Sequence, residues 1–338
     1  MALSRWVLAA ALAATVASTG IGHAADYKSE YTVSTVLPTP FPWGQAAERW
    51  VELVEERTEG RVNLEIYSGV QLVSGNQTKE FAALRNGLID FAVGSTINWS
   101  PQVKELNLFS LPFLMPDHAA IDALTQGEVG ERIFAAIERQ GVVPLAWGEN
   151  GFRELTNSTR PVTTPEDLAG MKIRVVGSPL FQDTFEALGA NPTQMSWADA
   201  KPALATGAVD GQENPLSVIE IAKMWEVNQK HLTRWHYMAD PLIFAANGAT
   251  WKSLPEADRR IIREAAREAG RWEIEKSRAE NEKRLATLRE NGIEVVELTD
   301  AQRAAFREAT ESVYEQWAPR IGEDLVEQAR EAVAERHQ

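Results

Sequence analysis

Three short polar blocks interrupt an otherwise ordinary α/β pattern between residues 150 and 215. They are Gly151-Phe152-Arg153, Lys172-Ile173-Arg174-Val175 and Asp210-Gly211-Gln212-Glu213-Asn214-Pro215. Ile173, Val175 and Val176 form an apolar β-type run, which puts Arg174 inside or at the end of a strand and not on a solvated helix face. An unpaired buried ion costs several kcal/mol, so this guanidinium needs a partner. The partner is either an Asp or Glu of the protein or the carboxylate of a ligand, and internal ion pairs are the commoner case.

Catalytic signatures are thin. The chain has no Walker loop, no G-x-G-x-x-G between a strand and a helix, no H-E-x-x-H and no G-x-S-x-G elbow. Ser178 follows a glycine at a strand-to-helix junction, which is half an elbow, but a serine before Pro179 is also an ordinary N-cap. Cysteine is absent, which excludes disulfides, thiolate zinc sites and cysteine nucleophiles. His231 and His236 are not spaced for one helical face, so neither a metal site nor a cofactor is expected. Acidic residues outnumber basic ones by 48 to 34, which makes nucleic acid and anionic membrane surfaces poor partners and leaves an anionic ligand in need of a local positive site.

Tryptophan is the other unusual feature. Trp43, Trp99, Trp147, Trp197 and Trp235 all fall at predicted element ends or in loops. Core packing is the ordinary explanation for any one of them. As a group they are placed to line a cleft, because ligands of open α/β folds sit beyond the carboxyl ends of the strands, where Trp147 and Arg174 are expected.

The elements that must position these residues follow from period and punctuation. Residues 1–25 have the form of a cleaved secretory signal, with Arg5, an apolar run from Trp6 to Ala17 and the small residues of Gly22-His23-Ala24. That run is shorter than the roughly 20 residues that span a bilayer, so a soluble, exported, periplasmic protein is expected. Strand 31–36, helix 43–59 and strand 62–66 make a βαβ unit, and helix 78–86 with strand 89–93 begins a second. Residues 95–117 read as loop, 119–126 and 128–140 as helices, and 142–147 as a strand ending at Gly148-Glu149-Asn150-Gly151, where the chain crosses between domains. Beyond it come a short helix capped by Thr164, strand 172–176, helices 180–188 and 196–206, a Gln212–Pro215 turn, helix 216–225 and strand 242–246. A helix from a capping-box start at Ser253, Pro255 and Glu256 to Gly292 measures on the order of 55 Å, long enough to bridge two lobes. Its expected packing stripe is Ile261, Ile262, Ala265, Ala269, Trp272, Ala279, Leu285 and Leu288.

Four ordered blocks, G-F-R-x-L-T-N at 151–157, T-P-E-D-L-A-G-M-K-I-R-V at 164–175, L-G-A-N-P-T at 188–193 and A-V-D-G-Q-E-N-P-L at 208–216, resemble those of DctP-type solute-binding proteins of tripartite ATP-independent periplasmic (TRAP) transporters. The resemblance extends over essentially the whole mature chain. It implies a two-lobed, periplasmic-binding-protein-like α/β fold with mixed sheets, an interlobe ligand cleft and a long helix bridging both lobes. On this basis lobe I comprises 26–150 plus about 240–275, and lobe II 151–239 plus about 276–338. The implied function is capture of a small organic acid for delivery to small and large membrane subunits, without catalysis. A ligand sensor, or a hydrolase or lyase acting on an acidic substrate, is the alternative, and a monomer is expected.

Carried over by resemblance, Arg174 takes the place of the carboxylate-binding arginine, whose planar fork makes two parallel hydrogen bonds that lysine cannot. Arg153 takes the place of a second ligand contact and Asn214 that of an amide able to donate and accept. Where many relatives read M-A-F-S-E, this chain has Met195-Ser196-Trp197-Ala198-Asp199, which brings Trp197 to the pocket as a wall or stacking face. Trp43, Ser95 and Asn98 are expected on the first-lobe wall, and Trp147 beside the cleft.

Overall fold

The computed structural model describes residues 27–336, so the expected signal segment lies outside the described residues. Ten strands are described: β1 (Tyr31–Thr35), β2 (Leu64–Ser68), β3 (Phe91–Ser95), β4 (Val142–Asn157), β5 (Lys172–Val175), β6 (Asn191–Gln194), β7 (Gly211–Pro215), β8 (His231–Arg234), β9 (Ala239–Asn247) and β10 (Glu294–Glu297). They form one mixed sheet in the order β2-β1-β3-β9-β4-β7-β5-β6, with β8 paired to β4 and β10 to β8. The fold is the expected α/β class.

β4 belongs to both halves of this sheet. Its stretch from Val142 to Phe152 runs antiparallel to β9, and Arg153–Asn157 runs antiparallel to β7. The sequence reading ended this strand at Trp147, because Gly148-Glu149-Asn150-Gly151 has the composition of a turn. The chain instead stays extended, absorbing the bend in register shifts at Pro144/Ala146 and Glu149/Gly151, the second of which places Gly151 at φ 114°. Glycine accepts that conformation without a Cβ clash, so a bulge does the work assigned to a turn. The Gln212–Pro215 turn is likewise part of a strand, β7, in which all five residues are buried.

Each half has a central core, and the two meet at the seam, where Ile97 and Phe113 of the first half join the second-half cluster. In the first, Trp50 of helix Pro42–Thr58 meets Phe91 and Phe244 edge-on at 5.7 and 5.3 Å and donates Nε1–H to the Ile262 carbonyl at 3.0 Å. That indole ties the first helix, the central strands and the long helix together, with the apolar area of a large aromatic supplying the driving force. In the second half, Ile173, Val175, Phe185, Trp235 and Phe306 form the centre of the core. Residues 95–117, read as loop, include a one-turn helix Thr96–Trp99 and a 3-10 segment Lys104–Ser110 that is buried from Leu106 onward.

The long helix is Glu256–Glu290. Ile262, Ala265, Ala266 and Ala269 pack in the first half, whereas Leu285 and Leu288 pack in the second. Between them the buried positions are Gly270, Glu273, Ser277 and Arg284, while the expected Trp272 and Ala279 turn outward. Gly270 explains the switch: a Cβ there would lie 2.2 Å from the Trp147 carbonyl oxygen, and only glycine lets the helix touch β4. The start also differs, since Ser253 ends a preceding helix, Gly248–Ser253, and the long helix begins after Pro255 without a side-chain cap. The last two helices, Glu311–Ile321 and Glu323–Glu335, bury Val313, Leu325, Val326 and Ala329 with Ile121, Leu124 and Ile133. The last helix packs on first-half helices, whereas Glu311–Ile321 also rests on helix Pro179–Ala187 of the second half, where Trp317 Nε1–H donates to Asp183 at 2.7 Å, so this tail, expected with lobe II, spans the two halves.

Candidate ligand-binding site

Where β4 bends, its side chains meet those of β7, β5 and β9. Arg153 lies just past the bulge and is 3% exposed. It donates through Nε and Nη2 to the two carboxylate oxygens of Glu213, through Nη2 also to the Glu213 carbonyl and Asn214 Oδ1, and through Nη1 to Asp240 at 3.4 Å. Burial opposes its charge, but Glu213 and then Asp240 more than offset this and hold its pKa above the usual arginine value. Tyr237 donates to Glu213 at 2.7 Å, and burial followed by the Glu213 charge keeps that phenol protonated. Arg153 is therefore an internally neutralised cation.

Arg174, in the middle of β5, is 1% exposed and lies in the opposite situation. Its Nε and Nη2 both donate to the Met195 carbonyl, at 3.2 and 2.9 Å, and its guanidinium carbon sits 5.8 Å from the centre of the Trp197 ring. Among the described residues, no carboxylate lies within ion-pair distance of it. Burial lowers its pKa to about 10, with Glu213 opposing and the Arg153 charge assisting that shift, so it stays charged at neutral pH. The open alternative of an internal acid is thus filled for Arg153 and not for Arg174.

The opposite wall comes from the first half. Trp43 is anchored by Nε1–H to the Val93 carbonyl at 2.7 Å; Ser95 accepts from Ile97 N–H and donates to Asp240 at 2.5 Å; Asn98 accepts from Gln77 Nε2 at 2.7 Å. Asn150 donates to Asp240 at 2.9 Å. Together with Trp197 and Asn214 these side chains enclose a small cavity of about 20 Å³ against Arg153 and Arg174. A wider groove of about 550 Å³ lies on the C-terminal helices, but its arginines, Arg307 and Arg330, are exposed to water. A buried cation without a counter-ion exerts far more pull on an anion than a solvated one.

Residues 33–320 match the DctP family model, described as bacterial extracellular solute-binding protein, family 7. The chain belongs to that family. It is similar to a TRAP periplasmic solute-binding protein from Ralstonia eutropha H16 solved with bound (S)-2-acetolactate, at 59% identity and a TM-score of 0.90 over 91% of this chain and 100% of that one. A second TRAP solute-binding protein, from Sulfurospirillum deleyianum with bound succinate, is 30% identical with a TM-score of 0.83, covering 89% of this chain and 98% of that one. The 2,3-diketo-L-gulonate-binding periplasmic protein of Escherichia coli K12 is 35% identical over 264 residues, 78% of this chain and 79% of that one. The DctP-family chain thus has the two-lobed architecture of its TRAP neighbours, with the bend in β4 between the lobes.

In this DctP-family protein the cavity brings together seven of the eight residues singled out by sequence: Arg174, Arg153, Asn214, Trp197, Trp43, Ser95 and Asn98. Trp147 is the exception. It lies on β4 before the bend, stacks on Phe134 at 4.6 Å, meets Phe109 at 5.5 Å and lines a separate outer groove. Its strand end was misplaced, so its expected position at a cleft-facing terminus does not exist. Sequence reasoning missed Gln77, Asn150, Glu213 and Asp240. Glu213 lay inside a block already singled out, and Asp240 was an acid just before the apolar Leu242–Ala246 run, whereas Gln77 in its polar loop carried no distinguishing signal.

Proposed function

We propose that this protein is an exported receptor for a compact monocarboxylate carrying a hydroxyl or carbonyl group near the acid. Arg174 anchors the carboxylate, the lobes close over it, and the closed form is presented to the small and large membrane subunits of a TRAP transporter. The observation that carries this reading is a fully buried guanidinium with no acid of its own among the described residues, beside one that has two. One unsatisfied cation supports one carboxylate. The remaining groups at the cavity, Ser95, Asn98, Asn150 and Asp240, suit hydroxyl and carbonyl oxygens, and a second carboxylate would meet the negative charge of Asp240. The bound 2-hydroxy-3-oxo acid of the Ralstonia relative fits the same description.

Titration calorimetry with (S)-2-acetolactate, lactate, pyruvate and succinate tests the reading. The branched or simple hydroxy and oxo monocarboxylates are expected to bind more tightly than succinate, and Arg174→Ala to weaken binding by at least about a hundredfold, since a charged hydrogen-bond partner is lost in a desolvated site. Retained affinity in Arg174→Ala sinks the assignment; tighter binding of succinate sinks the monocarboxylate class. Intact-mass measurement of protein recovered from the periplasm checks export and removal of residues 1–25.

A further inference from the structure

The geometry points to Gln77 as a positioning residue that latches the two lobes together and couples occupation of Arg174 to closure, an inference that rests on Arg174 being the ligand anchor. Gln77 begins the short 3-10 helix Gln77–Lys79 of the first lobe and is 6% exposed. Its Nε2 donates to Asn98 Oδ1 at 2.7 Å within its own lobe, while its Oε1 accepts from the Trp197 backbone N–H of the other lobe at 2.8 Å. Trp197 is the first residue of helix Trp197–Thr206, where backbone N–H groups have no acceptor inside the helix. The neighbouring Ser196 supplies no side-chain cap, and its hydroxyl donates to Asp199 at 2.6 Å. An orphan donor of one lobe is therefore satisfied by a side chain of the other, and that bond exists only when the lobes meet.

The same three-residue segment holds the anchor. Met195 accepts both Arg174 hydrogen bonds, and the Trp197 ring lies beside the guanidinium. The chain of contacts thus runs from Asn98 through Gln77 and Trp197 to Arg174, so a carboxylate that fixes Arg174 also fixes the donor Gln77 must find. A ligand shifts an open-closed equilibrium only through interactions that differ between the two states, and the Gln77 bond is such an interaction. The surrounding seam is tight: a Cβ on Gly177 would lie 3.0 Å from Thr78 Cγ2, and the Ser100 and Ser178 hydroxyls are 3.4 Å apart across it. Gly177 lines the outer mouth of this seam and not the cavity around Arg174.

Two variants of the full mature protein test the latch. Gln77→Met keeps length and removes both hydrogen bonds; Gly177→Val wedges the seam without touching the cavity. Because the chain has no cysteine, spin labels at Glu55→Cys and Glu186→Cys report the interlobe distance by pulsed electron resonance. Both variants are expected to shift the distance distribution toward longer values, with and without (S)-2-acetolactate, and to raise the stopped-flow dissociation rate roughly tenfold while changing the association rate little. Unchanged distance distributions in both variants overturn the latch, as does a loss confined to the association rate. Failure of the anchor would show separately, as binding retained by Arg174→Ala, and the ligand-free distances report on the latch in that event as well.

Discussion

Glu213 and Asp240 are buried carboxylates that share Arg153 as their cation. Replacing Arg153 by Met leaves both without it, and urea denaturation should show a loss of about 3–5 kcal/mol, the usual cost of breaking a buried pair from one side. Arg174→Met removes a buried charge that no acid balances, so the ligand-free variant should be as stable as the parent or more so, while losing ligand affinity. Equal destabilisation by the two substitutions would show that Arg174 has an internal structural role after all. The sequence made the presence of both arginines at strand positions legible, and the family blocks pointed to their neighbourhood. Which of the two lacks a partner was not legible, because it depends on Glu213 and Asp240 arriving from strands 60 and 87 residues further along the chain.

At the scale of elements, period and glycine punctuation were enough for the helices and the βαβ units, since these express local preferences. They failed where tertiary pairing overrides composition, as in the glycine-containing bend of β4 and the polar β7, whose residues are extended because neighbouring strands satisfy their backbones. Gly270 belongs to this class. An alanine in mid-helix is intrinsically favoured by roughly 1 kcal/mol, but here its Cβ meets the Trp147 carbonyl, so Gly270→Ala should cost about 2–4 kcal/mol net in thermal denaturation. A raised midpoint would mean that the helix does not rest on β4. Glu80 offers a test of buried chemistry in the first half: it accepts from Ser34 at 2.6 Å and Trp99 at 3.0 Å. Burial raises its pKa from 4.5 to about 7 against those two hydrogen bonds. The folded state therefore binds a proton that the unfolded chain has released between those values, so the stability this proton brings is full below about pH 4.5, falls as pH rises and is gone above about pH 7. Glu80→Gln, which mimics the neutral acid, should flatten this decline and gain on the order of 2–3 kcal/mol over the parent at pH 8. An identical pH dependence in the variant would contradict a protonated Glu80.

For the whole molecule, the bend of β4 and the long helix link halves whose cores also meet at the seam, where Ile97 and Phe113 of the first half join the second-half cluster. At the bend, Arg278 of the long helix binds Glu149 of β4 at 2.5 Å and Asp122 at 2.8 Å, and buried Glu273 accepts the Glu149 backbone N–H at 3.0 Å. Shared elements make separate unfolding of the halves costly, so calorimetry should give one transition whose van't Hoff and calorimetric enthalpies agree; two resolved peaks would show that the bridge is weaker than its contacts indicate. A bound acid should move that single transition as a whole, by RT ln(1 + [L]/Kd).

Because the ladders of the two halves share β4 and meet at its bulge, the proposed closure is a change of angle at one strand. On the proposed receptor function, a membrane partner that docks across both halves reads that angle, and the chemical identity of the cargo stays hidden inside the bend. Discrimination among acids is then complete before docking begins, and any molecule able to hold the sheet at the right angle, including a synthetic mimic, would be accepted for delivery.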